Sequence, residues 1–80
     1  MKARVFVTLK PSVFDPQGRT IVEALHSMGH DGVSDVRQGK YFELEVNAAS
    51  ADEARAMVSD VADKLLANPV IESYRIEIAS

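Results

Sequence analysis

Between Lys2 and Lys10 apolar and polar residues alternate. Ala3, Val5, Val7 and Leu9 point one way, and Lys2, Arg4, Phe6, Thr8 and Lys10 the other. A period of two, rich in β-branched residues, predicts a strand with one buried face. The next segment, Lys10–Pro16 (KPSVFDP), cannot continue it, because each of its two prolines restricts itself and the residue before it. Asp15 is placed to cap a helix, with Pro16 at the first helical position, where a missing N–H does no harm. Ile21, Ala24, Leu25 and Met28 then recur at helical spacing and predict one apolar stripe, and Gly29 suits the left-handed C-terminal cap. Gly18 lies inside the first turn, where it costs about 1 kcal/mol relative to alanine. Its presence suggests close approach by something, of which the neighbouring loop is the simplest case.

Val33–Val46 (VSDVRQGKYFELEV) reads as two strands folded back on each other at Arg37-Gln38-Gly39-Lys40. The first is irregular, since Val33 and Val36 have opposite parity, and a late start or a bulge near Asp35 is expected. The second is clean, with Phe42, Leu44 and Val46 on one side and Tyr41, Glu43 and Glu45 on the other. Ser50-Ala-Asp-Glu53 is a capping box that opens a helix of roughly sixteen residues. Its core stripe is Ala54, Val58, Val61 and Leu65, with Met57 at the edge, and Asn68-Pro69 stops it. Val70–Ile78 is the last strand, with Tyr74, Ile76 and Ile78 facing inward. The order β-α-β-β-α-β predicts an α+β ferredoxin-like sandwich. That is a four-stranded antiparallel sheet in the order 4-1-3-2, with both helices on one face, spanning residues 1–80 as a single domain.

Length and composition change this picture in one respect. A chain of 80 residues buries only about 60% of the surface its unfolded form exposes, so self-association is a natural remedy. The absence of cysteine excludes disulfides, thiolate metal sites and a cysteine nucleophile. It fits a reducing, cytoplasmic setting. A net charge of −3 counts against nonspecific nucleic-acid binding. The N-terminal MKARVFVTLK lacks a long apolar core, and the apolar runs are only a few residues long, so neither a signal peptide nor a membrane span is expected.

The sheet face away from the helices would carry Arg4, Phe6, Tyr41 and Glu43, with Lys2, Thr8, Glu45, Arg75 and Glu77 around them. Bases on the first strand then lie beside acids on its neighbours. This pattern fits either a solvated face or a self-association surface with Phe6 and Tyr41 as anchors inside a charged rim. Little supports catalysis. Glu43 and Glu45 share a face, but basic neighbours keep both ionised, whereas an acid–base pair needs one raised by burial. His26 and His30 lack a third ligand. Gly39-Lys40 is no phosphate loop, because the upstream glycine of GxxxxGK[ST] is missing and Tyr41 stands where Ser or Thr is required. Arg37 and Lys40 read either as a solubilising turn or as a grip on an anion. The aromatic-rich segment of sheet-face RNA binders is absent, as are the CxxC of metal chaperones and the arginine-bearing cradle of acylphosphatases.

Three segments together go further. Val7–Gly18 (VTLKPSVFDPQG), Val33–Leu44 (VSDVRQGKYFEL) and Lys64–Glu77 (KLLANPVIESYRIE) closely resemble the PurS family, the small subunits of phosphoribosylformylglycinamidine synthase. The likeness covers nearly the whole chain. Ser12 departs from the family's usual glycine, Phe14 from a frequent leucine and His30 from a common aromatic. The resemblance implies a noncatalytic accessory subunit in purine biosynthesis. There the complex converts formylglycinamide ribonucleotide, glutamine and ATP to formylglycinamidine ribonucleotide. It implies a homodimer, sometimes a pair of dimers, that assembles with the PurL synthetase and the PurQ glutaminase. ATP and magnesium are expected on PurL, with no cofactor on this chain. Lys10, Pro11, Asp15, Pro16, Gly18, Arg37, Gly39 and Lys40 become candidate docking residues, because loops held by prolines lose less freedom on binding. An independent small-ligand-binding regulatory module on the same fold is the alternative reading.

Overall fold

The computed structural model describes residues 1–79; Ser80, the last residue of the expected domain, lies outside the described residues. The alternating N-terminal segment forms β1 (Lys2–Leu9). Helix α1 (Pro16–Ser27) follows, then β2 (Gly39–Glu45), α2 (Ala51–Val61) and β3 (Glu72–Ala79). The sheet is antiparallel in the order β2-β1-β3. Arg4 stands opposite Glu43 on one side and Glu77 on the other, so bases and acids do meet across the strands. Ala3, Val5 and Val7 of the central strand are fully buried beneath α2, whose Ala54 and Val58 complete the core with Ala62, Ala67 and Val46. Tyr74 and Ile76 of β3, and Phe42 and Leu44 of β2, pack against its margin.

The helix boundaries follow the local signals. Asp15 caps α1 by accepting the Gly18 N–H, Pro16 opens it, and Gly29 adopts a φ of 91° just past its end. Ser50 caps α2 by accepting the Glu53 N–H, and the Glu53 carboxylate reaches back to the N–H of Ala49. Beyond Val61 the helix widens into a π-type turn over Ala62–Leu66, in which the Ala67 N–H donates to the Ala62 carbonyl, five residues back, at 2.9 Å. The extra residue in this turn changes which side chains face inward. Leu65, expected in the core stripe, is exposed, while Leu66 packs against the core and Ala67 is buried in it.

Three further expectations are corrected. Val33–Gln38 forms no strand, so the sheet has three strands among the described residues and β2 lies at an edge. The hairpin turn at Arg37–Lys40 is likewise absent. Gly39 and Lys40 already belong to β2 and pair with Thr8 and Val7 of β1. The physical reason is visible in the valines. Val33 and Val36 are partly buried against α1, where the Val36 carbonyl lies over Gly18, and cannot also alternate in a ladder.

The third correction concerns α1 itself. Only α2 lies on the sheet, and no residue of α1 enters the core cluster. Helix α1 and its return segment form an arm, Pro16–Val36, held together by buried Gly18 and Val22 and by His26, whose Nε2–H donates to the Val33 carbonyl at 2.8 Å. The stripe expected to cover the sheet is mostly bare: Ile21, Ala24 and Met28 are exposed and Leu25 is half-buried. The chain is accordingly long and thin, measuring 50 × 26 × 13 Å.

Candidate functional site

The arm meets the sheet at a knot built from the residues singled out between Lys10 and Lys40. Asp15, 5% exposed, is the one buried charged side chain among the described residues. Its Oδ1 accepts the Gly18 N–H at 2.9 Å and its Oδ2 the Gln38 N–H at 2.8 Å. These donors, Gly18 first and Gln38 second, hold its carboxyl below the usual carboxylate value, and the nearby Arg37 charge adds to them against the opposing effect of burial. Gly18 is required by close packing, because a Cβ there would stand 2.0 Å from the Val36 carbonyl oxygen. Gly39 is equally confined, with its would-be Cβ 2.3 Å from the Val7 carbonyl oxygen.

Arg37 does not stand free at a turn. Its Nη2 donates to the carbonyls of Lys10 at 2.9 Å and Val13 at 3.0 Å, with a longer contact to Leu9. It thereby straps the proline loop to the return segment. Lys40 pairs with Glu72 at 3.6 Å. The Lys10 N–H donates to the Ile71 carbonyl at 2.8 Å and ties the loop to the start of β3. Two open clefts flank the knot. One of about 320 Å³ is lined by Pro11, Asp35 and Arg37, and one of about 270 Å³ by Asp15, Gln17 and Lys40.

The eight expected docking residues therefore come together, but in two roles. Asp15, Gly18 and Arg37 build the loop from within, whereas Pro11, Pro16 and Lys40 are exposed at its surface. The most conspicuous surface group of the loop, Phe14, is not among the residues that sequence pattern singles out. It is 70% exposed, and its only signal is an aromatic between two prolines, too short a stretch to have a burial period.

The second expected cluster also forms. On the open sheet face the Phe6 and Tyr41 rings lie 5.1 Å apart, and the Arg75 guanidinium sits 4.3 Å above Phe6. The Tyr41 hydroxyl donates to Glu43 at 2.8 Å, which raises the phenol above its ordinary value. Lys2 approaches Glu43 at 4.0 Å, and Arg4 stands between Glu43 and Glu77. The cluster is an aromatic pair in a ring of mixed charge. Among the described residues no group of three or more His, Asp or Glu is placed to hold a metal.

Comparison with known proteins places this architecture. The model of the family described as "PurS: Phosphoribosylformylglycinamidine (FGAM) synthase" matches residues 2–80. The chain belongs to the PurS family. A Bacillus subtilis (strain 168) relative, phosphoribosylformylglycinamidine synthase subunit PurS, is 49% identical over 77 residues, which cover 96% of this chain and 90% of the relative. The crystal structure of Methanocaldococcus jannaschii PurS superposes with a TM-score of 0.88 at 35% identity, covering 99% of this chain and 95% of that one. A chain in the structure of PurLQS from Thermotoga maritima superposes with a TM-score of 0.87 at 34% identity, covering 95% and 93%. The function that goes with the family is that of the PurS subunit of FGAM synthase.

Proposed function

We propose that this chain is the noncatalytic accessory subunit that brings the PurL synthetase and the PurQ glutaminase together. The assembled complex carries out the ATP- and glutamine-dependent conversion of formylglycinamide ribonucleotide to formylglycinamidine ribonucleotide in the cytoplasm. The observation that carries this reading is the superposition of 95% of the chain on a chain of the Thermotoga PurLQS structure. The supporting chemistry is what the chain offers: a braced loop and a mixed-charge aromatic face. ATP and magnesium belong, on this reading, to PurL.

The loop at the knot is the docking element for the larger subunits. Its backbone is held by Asp15 and Arg37, so presenting Pro11, Phe14, Pro16 and Lys40 to a partner costs little ordering entropy. The chain acts as a homodimer, and the Phe6–Tyr41 face, with Arg4 and Glu43, is a self-association surface that can pair two dimers. Reconstitution tests the main reading. Glutamine-dependent synthase activity from PurL and PurQ should appear only when this chain is added, and an equal rate without it overturns the proposal.

A further inference from the structure

Asp35 and Arg37 line one cleft and do not pair. They stand two residues apart, and residues so spaced on an extended stretch share a side, about 6–7 Å apart at their Cα atoms. Among the described residues no ion pair joins them. The guanidinium is drawn instead to the proline loop, where Nη2 donates to the Lys10 and Val13 carbonyls. A guanidinium carries N–H donors on all three nitrogens. Those on Nε and Nη1 have no acceptor among the described residues, and the Asp35 carboxylate has neither a donor nor a cation.

The opposite wall of the cleft is built by the strands. Thr8 and Ser73 are cross-strand partners on β1 and β3. Both are exposed and both line the cleft, with Leu9 and Pro11 as its apolar part. Its volume is about 320 Å³, at the small end of the roughly 300–1,000 Å³ typical of ligand clefts. Two charges of opposite sign, two hydroxyls and a small apolar surface make a specific demand on an occupant. A phosphate or nucleotide would bring its anion against Asp35, and a polyamine or metal ion would bring its cation against Arg37. A purely apolar molecule would cut both charges off from water. An α-amino acid carries an ammonium and a carboxylate on one carbon and satisfies both.

We infer that this cleft binds a free α-amino acid. The ligand's carboxylate accepts from the free N–H groups of Arg37 in a charge-assisted bond, its ammonium donates to Asp35, and the Thr8 and Ser73 hydroxyls complete the headgroup's hydrogen bonds. Leu9 and Pro11 receive the stem of its side chain. The strap to the proline loop holds the guanidinium in place before a ligand arrives, which keeps the ordering cost of binding low. The second cleft offers no such site. Its acid, Asp15, is already satisfied by the Gly18 and Gln38 N–H groups, and its Lys40 by Glu72. The proposed reaction consumes glutamine, which a glutaminase turns to glutamate, so these two amino acids are the natural probes. That choice rests on the proposed function; the site itself follows from the cleft.

The test is a titration of the isotope-labelled full chain with L-glutamine and L-glutamate, followed by NMR. Binding predicts saturable shifts at Thr8, Asp35, Arg37 and Ser73 at millimolar ligand. N-acetylglutamine, which lacks the ammonium, and glutamine α-amide, which lacks the carboxylate, should each bind about tenfold or more weakly, as the loss of one charged hydrogen bond requires. Asp35→Asn should weaken glutamine binding by a similar factor at an unchanged unfolding midpoint, since the Asp35 side chain bonds to nothing in the fold. Should that variant fail to fold, the two analogues decide on the unsubstituted chain. The site is overturned by the absence of a saturable shift with either amino acid, by equal binding of both analogues, by unweakened binding to a folded Asp35→Asn chain, or by saturation with inorganic phosphate alone. Reconstituted synthase activity is a separate readout. A chain that supports it without binding either amino acid loses the site and keeps the proposed function, and a chain that binds glutamine but is not needed for the activity does the reverse.

Discussion

Asp15 and Gln38, 23 residues apart, are joined by a 2.8 Å hydrogen bond from the Gln38 backbone N–H to the Asp15 carboxylate. The same carboxylate accepts the Gly18 N–H at the start of α1. One buried acid therefore closes the arm at its base, where the chain leaves β1 and where it returns to β2.

This bond makes the arm sensitive to acid. In the folded chain the Gly18 and Gln38 donors hold the Asp15 carboxyl below its ordinary value of 3.8. The folded state thus binds that proton less readily than the unfolded state, and stability rises with pH between the two values. Asp15 contributes fully above about 3.8, and its contribution is lost as pH falls through the lower folded-state value. Asp15→Asn should therefore be less stable than the unsubstituted chain at pH 7, and the gap in urea midpoint should shrink below pH 4. A gap that is constant from pH 7 to pH 2.5 would show that the carboxylate charge does not hold the arm.

Gly18→Ala tests the same junction sterically. The new Cβ would lie 2.0 Å from the Val36 carbonyl oxygen and 2.8 Å from Asp15 Oδ2. Neither is the free end of a flexible side chain, so the return segment must shift. The cost should be about 1–3 kcal/mol, opposing the roughly 1 kcal/mol that alanine gains over glycine in a helix. Chemical denaturation should show net destabilisation, and a stabilised variant would mean that the arm does not pack as described.

What the sequence disclosed and what it withheld divide along the range of the interactions. Asp15, Pro16, Gly29, Ser50 and Glu53 mark helix ends through contacts within four residues, and each does so in the structure. The two strands flanking β1 are also legible, because alternation reports a face directly. Leu65 is misplaced by its periodicity because nothing in the sequence announces the π-type turn at Ala62–Leu66. Val33–Arg37 reads as a strand because extended backbone against a helix and extended backbone in a ladder draw on the same residues. The Ile21–Met28 stripe is legible as a surface to be covered. Periodicity tells that a face needs a cover and is silent on which element provides it. The residues singled out between Lys10 and Lys40 lie together, but the loop's most exposed group, Phe14, has no periodic context to reveal it.

The open sheet face makes a separate prediction about assembly. Phe6 lies beneath the Arg75 guanidinium with the tilted Tyr41 ring beside it, and substitution by glutamate at both would bring two new acids beside Glu43 and Glu77. Like charges directly across strands repel. Phe6→Glu with Tyr41→Glu should lower the mass of the isolated protein by one step of association in sedimentation equilibrium. An unaltered mass would remove this face from the self-association surfaces.

Docking of the larger subunits is best tested away from the groups that build the loop. Arg37 would be a poor probe. Its guanidinium donates to the Lys10 and Val13 carbonyls, so its loss would disturb the loop and any partner contact together. Lys40 and Phe14 are better. The Lys40–Glu72 pair is largely exposed on the lysine side, and such pairs contribute only about 0–1 kcal/mol. Phe14 is 70% exposed and holds nothing in the core cluster. Phe14→Asp with Lys40→Glu should leave the isolated protein's mass unchanged and its unfolding midpoint nearly so. Affinity for PurL and PurQ should drop tenfold or more, the order expected when an aromatic anchor worth upwards of about 1.4 kcal/mol is removed from an interface. Co-elution of the double variant with both partners at the unsubstituted affinity would move the docking site off this loop.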